Sequence, residues 1–307
     1  MISQRALTRN QKSWVRISPH DQNFQYRHVI QVVVVMAMSV LVSGCATATL
    51  DEGGSLASYE GLQPSDGMLT KSKLHVHEEG LLAARSVRIV PTTLTAKAQR
   101  EGITDEQRKL ITNAVDRSLC AGLSERFTVV ATGDADITVH STITQMTPTN
   151  QAAVAATKGA SIAKMVLLPG VPVPTPRIPV GLGSLSVEAE AKAHDGRQEA
   201  AIIWGRGANA LSGSARISSS GDAYELASAF GDDFSKLLVT GKSPFGTLPT
   251  APSMDRIQSL AGGKPKYAAC EMFGRETGLI GIVGGAVGTP PEWNDKGPAE
   301  VSPPPGQ

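Results

Sequence analysis

Apolar and polar residues alternate with period two in several stretches and recur every three to four residues in two others, and these segments outline the folded part of the chain. In Ser86–Val90, SVRIV, Val87 and Ile89 share one side and Pro91 ends the run, as at a strand terminus. Over Asp136–Thr144, Ile137, Val139, Ser141 and Ile143 face one way while Thr138, His140, Thr142 and Thr144 face the other, which predicts a half-buried strand with its polar face in solvent. Ser184–Ala193 repeats the pattern, with Leu185, Val187, Ala189, Ala191 and Ala193 opposite Ser186, Glu188, Glu190 and Lys192. Asp195-Gly196 supplies a turn and Ala200–Trp204 the returning arm, so a hairpin is expected over 184–205. Lys73–His77 alternates as a short edge strand would, and Phe127–Val130 reads as another short strand.

Two segments carry helical spacing. Thr104 stands as N-cap with Gln107 three residues on, Asp105 and Glu106 suit the positive end of the dipole, and Leu110, Ile111, Ala114, Val115, Leu119, Cys120 and Leu123 form one stripe. In Asp222–Thr240, Tyr224, Ala227, Phe230, Phe234, Leu237 and Leu238 keep the same spacing until Gly241 stops it, with Gly231 weakening the middle. Between strands and helix, Ala152–Gly183 is Ala-rich and then broken by Pro169, Pro172, Pro174, Pro176 and Pro179, which predicts a long apolar loop with no regular helix beyond Leu168.

The first 45 residues are built differently. Arg5, Arg9, Lys12, Arg16 and Arg27 precede the apolar run Val29–Val42, which at about 1.5 Å per residue is too short for the roughly 30 Å core of a bilayer and reads as the centre of a secretion signal. Leu41-Val42-Ser43-Gly44-Cys45 follows directly and resembles the lipobox of bacterial lipoprotein signal peptides. The resemblance implies that the chain is cut before Cys45, that its thiol carries diacylglyceryl, that the new amino terminus takes a further acyl chain such as palmitate, and that these chains anchor it in a membrane. Ala46, where a retention signal would place Asp, implies the outer membrane, facing the periplasm. Residues 45–70 then read as a flexible Gly/Ser/Thr-rich tether on which Tyr59 and Leu62 dock. At the other end, composition shifts to Gly and Pro beyond about Phe245, so 246–307 is expected to be a mostly disordered extension. Its apolar stretch Thr277–Gly288 is too short to span a membrane and is expected to pack on the domain as a strand or loop, a second membrane contact being the lesser alternative.

Composition sharpens this picture at three points. The 29 basic and 28 acidic residues exclude a strongly basic nucleic-acid binder, and removing residues 1–44 with five bases and one acid turns the formal charge from +1 to −3. With Cys45 acylated, Cys120 and Cys270 are the remaining thiols; in an oxidising periplasm they can form one bridge, or Cys120 can be a small buried apolar residue and Cys270 an unrelated one. Neither a CxxC pair nor a Cys/His cluster at metal spacing occurs, so no metal or cofactor is expected. His75, His77 and His140 could meet as an acid-base set and Glu188 with Glu190 as paired carboxylates, but neither set has a partner at the right spacing, and no catalytic residue is assigned.

Leu56–Leu62 (LASYEGL), Val87-Arg88-Ile89-Val90-Pro91, Asp136–Asn150, Gly183–Glu190 with Asp195-Gly196, and Asp222–Leu238 together resemble the DUF3313 family of bacterial lipoproteins. That resemblance covers roughly residues 50–240 and implies an α/β (α+β) domain over 71–245: a small antiparallel or mixed sheet with two helices packed on one face. The function expected is that of a lipid-anchored envelope protein whose domain, without catalysis, offers an edge strand or the loop at Pro169–Pro179 to an envelope protein or polymer. The alternative is a hydrolase acting on cell-wall or surface glycan.

Overall fold

A computed structural model of the chain describes residues 48–100, 102–167, 177, 179–210, 215–246 and 253–298. The expected secretion signal, Cys45 and most of the Pro169–Pro179 segment lie outside them. The strands are β1 (Gln63–Pro64), β2 (Thr70–Val76), β3 (Ser86–Ile89), β4 (Thr93–Leu94), β5 (Thr128–Val129), β6 (Ile137–Thr147), β7 (Ser184–Ala193) and β8 (Gln198–Gly207). The helices are α1 (Glu78–Ala83), α2 (Ala96–Gln99), α3 (Asp105–Leu123), α4 (Gln151–Leu167), α5 (Gly221–Thr240), α6 (Met254–Leu260), α7 (Gly278–Val287) and α8 (Pro291–Asn294), with a 3₁₀ turn at Ala268–Phe273.

The strands form one mixed sheet in the order β1-β2-β8-β7-β6-β3-β5, with β4 also paired to β6. From β2 to β6 the neighbours are antiparallel, whereas β3 runs parallel to β6 and β5. Antiparallel register puts whole rows on one face: Ile143, Val187, Trp204 and Ser72 in one, and Ser141, Ala189, Ile202 and Leu74 in the next. Both rows are buried under α3 and α5, the two-helix layer expected. A bulge at Thr144 extends β6 past its predicted end, so that Gln145 returns to the outer face and Met146 to the core.

Local signals explain the helices. Thr104 and Gln107 exchange the reciprocal bonds of a capping box at the start of α3, and Gly241 ends α5 with φ 67°. Gly231 serves close packing: a side chain there would run into Ser118, whose hydroxyl donates to the Ser228 carbonyl across the α3–α5 contact. Trp204 meets Phe230 edge to face at 5.5 Å, and Phe230 stacks on Phe234.

Asp116 sits on the buried side of α3 and accepts hydrogen bonds from the backbone N–H and hydroxyl of Thr92. Burial pushes its carboxyl up to about 7, against the opposing pull of those donors and of Arg117. The folded state thus keeps this proton up to about pH 7, while an unfolded Asp releases it near about pH 4. A raised carboxylate pKa makes the contribution favourable at low pH and progressively lost as pH rises through that window. Urea midpoints measured from pH 4 to pH 7 should therefore fall less steeply for Asp116→Asn than for the wild type.

Two expectations about the ends are corrected. The segment expected to be a tether is docked from Ala48 onward, lying across the sheet face opposite α3 and α5. The extension expected to be disordered forms α6, α7 and α8, because a disulfide, the buried Arg117–Asp295 pair and the Arg256–Asp232 pair, which leave no periodic signature, hold it to α3 and α5. The expectation of an offered edge strand is also revised. β1 and the 65–67 turn cover the free side of β2, with Ser65 N bonded to Ser72 O and Gly67 N to Thr70 O, and β5 covers part of β3.

Candidate functional site

The outer face of the sheet carries the polar residues singled out in the sequence. His140, Glu190, Ala201 and His75 lie in one row across β6, β7, β8 and β2, and Thr142, Glu188, Ile203 and Lys73 in the next. The expected solvated face is not found, since Glu188 is 0% and Glu190 2% exposed. Residues 48–62 form a strap over them.

The strap is held by matching alternate backbone N–H groups to the carboxylates. Gly53 N donates to Glu188 at 2.6 Å, Ser55 donates to Glu188 through both its N–H (3.1 Å) and its hydroxyl, and Ala57 N donates to Glu190 at 2.8 Å. The Tyr59 hydroxyl adds a bond of 2.9 Å to Glu188. Gly53 is required by close approach, because a Cβ there would strike the Thr144 methyl group at the β6 bulge. Leu56 is buried on Ala201 and Ile203, with Leu50, Tyr59 and Leu62 packed around it. Burial by itself would raise the Glu190 carboxyl, but bonds from Lys192, Ala57 N and Gln198 outweigh it and hold the group below the usual range. Tyr59 is raised, chiefly by burial.

Such carboxylates are saturated acceptors. Each lone pair directed at an amide is unavailable for attack or for proton transfer to a ligand. Glu188→Gln turns an amide NH₂ toward donors that need an acceptor; the expected result is a loss of about 1–2 kcal/mol confined to the strap. Hydrogen exchange checks this: amides of residues 53–59 should exchange about tenfold faster while those of α3 and α5 keep their rates.

The histidines do not assemble. His75 shares the row of Glu190 but lies beneath Gly61 of the strap. His140 is held below its ordinary pKa by burial and then by the Lys192 cation. His77 falls beyond the end of β2, where its Nδ1 meets Glu199 at 2.7 Å. Among the described residues, no group of three or more His, Cys, Asp or Glu side chains is placed to hold a metal.

A second polar cluster was not anticipated. Arg117 of α3 pairs with Asp295, both nearly unexposed, and the Tyr224 hydroxyl donates to the same carboxylate at 2.7 Å. Glu292 of α8 accepts from Gln107, Ser218 and Ser220, and Arg256 of α6 pairs with Asp232. Cys120 and Cys270 are joined as a disulfide with Cα atoms 5.8 Å apart. The chemistry of this cluster is attachment of residues 253–298 to the helical layer. Arg117 lies within the apolar helix pattern, so its burial was the available signal; its partner Asp295, 178 residues away, gave none.

The family described as "Protein of unknown function (DUF3313)" matches residues 51–234. The chain belongs to the DUF3313 family. The matched region begins in the strap and ends within α5, so strap and sheet both lie inside the DUF3313 unit while α6 to α8 lie beyond it. Among solved structures, this DUF3313 chain is similar to a PelC variant dodecamer from Paraburkholderia phytofirmans, at 9% identity and TM-score 0.33 over 57% of this chain and 100% of that one. A second crystal form of PelC gives 9% and 0.33 over 56% and 99%. At that score the likeness assigns neither function nor assembly. No curated protein matches. Among the described residues, no helix is long and apolar enough to cross a membrane.

Proposed function

We propose that this DUF3313 protein is a lipid-anchored component of the cell envelope, attached through acylated Cys45 in the outer membrane, whose domain binds another envelope protein or polymer without catalysis. The observation that supports the non-catalytic reading is the closure of Glu188 and Glu190 under the strap, which occupies the carboxylates a glycan hydrolase would need. The lipobox-like Leu41–Cys45 supports the anchor. Val180 is 64% exposed beside the proline-rich segment and marks an accessible place from which to search for the partner.

Two measurements on whole cells test the proposal. Labelled palmitate should enter the wild-type protein and not Cys45→Ser; equal labelling of both removes the anchor. A photo-crosslinking residue at position 180 should capture one discrete envelope component in intact cells. Turnover of a cell-wall glycan fragment by the purified protein, abolished in Glu188→Gln, would replace binding with hydrolysis.

A further inference from the structure

The apolar helix α7 has two contrasting sides. Gly278, Gly281, Gly284 and Gly285 are buried against the body of the protein, where Arg216 donates to the Gly281 carbonyl and a Cβ at Gly284 would collide with Asn294. Opposite them, Leu279, Ile280, Ile282, Val283 and Val287, together with Trp293 of α8, are each at least 60% exposed. No charged residue occurs from Thr277 to Pro291. A contiguous apolar surface of this kind needs an occupant.

Where the chain emerges decides which one. Gly288 at the end of α7 accepts from Ile217 N, and Ser219 accepts from Thr149 N just past the end of β6. The end of α7 therefore lies at the end of the sheet where β6 and β8 finish and β7 begins. The strap starts at that same end: Thr49 O accepts from Ser186 of β7, and the Thr49 hydroxyl meets Gln145 of β6. Cys45 is three residues before Ala48, so fully extended backbone separates their Cα atoms by about 10 Å at most. Docking of the supposed tether leaves the lipid anchor no slack.

The geometry points to a membrane-lying domain, in which the exposed face of α7 and Trp293 rest in the interfacial layer of the bilayer that holds the Cys45 acyl chains. This inference rests on the anchor reading above. A ten-residue helix, about 15 Å long, is too short to span a bilayer but suffices to lie in its surface, with Trp at the headgroup level. Lipid is favoured over a second copy because the anchor keeps the bilayer at that end of the molecule continuously, whereas another copy must arrive by collision. The Glu292 carboxylate, the nearest acid in sequence to the patch, is turned away to Gln107, Ser218 and Ser220.

The test uses the processed, full-length protein purified from membranes and placed in phosphatidylethanolamine/phosphatidylglycerol vesicles (3:1) whose acyl chains are brominated near the headgroup. Trp204 is buried, so the difference between wild type and Trp293→Phe isolates Trp293 fluorescence. That signal should fall at least twofold on bromination, and Ile280→Asp/Val283→Asp should remove the quenching while leaving the melting temperature unchanged. The mass of the N-terminal peptide is read on the same sample. Acylated Cys45 with unquenched Trp293 overturns this inference alone, whereas an unacylated Cys45 overturns the anchor reading and this inference with it. Crosslinking between copies through Ile280→Cys, without quenching, assigns the face to self-association and also overturns it.

Discussion

Replacing Asp295 with Ala is expected to destabilise the protein by about 3 kcal/mol, measured by urea unfolding followed by circular dichroism. Arg117 is 4% exposed and Asp295 2%, so removing the carboxylate strands a guanidinium in a place with little water, and the Tyr224 hydroxyl loses its acceptor as well. Burial opposes the Arg117 charge, but Asp295 and then Tyr224 and Glu276 outweigh that and hold its pKa above the ordinary value. The loss is capped because residues 253–298 can lift away and let water reach Arg117. The paired replacement Arg117→Met with Asp295→Leu, which removes both charges and retains apolar volume, should recover most of the stability. If the single variant unfolds at the wild-type urea midpoint, the pair does not hold the extension.

Cys270→Ala is expected to cost roughly 2–4 kcal/mol, because the bridge to Cys120 closes a long loop and restricts the unfolded chain more than a short one would. Its local signature is sharper than its global one. Arg256, Lys266 and Arg275 lie in the extension, and trypsin should release it from the variant while leaving the sheet and α3–α5 layer intact. The wild type should yield the same fragment only after reduction. Because Asp295 and Cys270 hold the same segment, the two losses should not add: once either attachment is gone, removing the other acts on a segment already partly detached. A double variant as costly as the sum of the singles would mean that the two attachments act independently.

Much of the central fold was legible because it depends on local or short-range patterns. The capping box at Thr104 and Gln107, the αL stop at Gly241, and the alternation in β6 and β7 are each contained within about twenty residues, and the hairpin turn at Asp195-Gly196 joins neighbours in sequence. The two carboxylates were correctly placed on one face, since side chains at i and i+2 of a strand must share it. Their solvation was misread for the same reason. Alternation says which side a residue is on but not what lies over that side, and the cover comes from residues 53–59, more than 120 positions away.

The sequence by itself determined the main strands β3, β6, β7 and β8, helices α3 and α5, and the separate character of residues 1–45, because hydrophobic period, caps and turn chemistry act between residues close along the chain; the Ala-rich start of the segment expected to be a loop is instead helix α4. Only the tertiary structure decided that the supposed tether is a strap, that the Gly/Pro-rich extension is clamped, and that an apolar helix is left uncovered at the end of the sheet where the strap begins. Those outcomes depend on single long-range bonds, such as Gly53 to Glu188, Arg117 to Asp295 and Cys120 to Cys270, and a one-dimensional period carries no information about which distant group will satisfy a buried charge or amide.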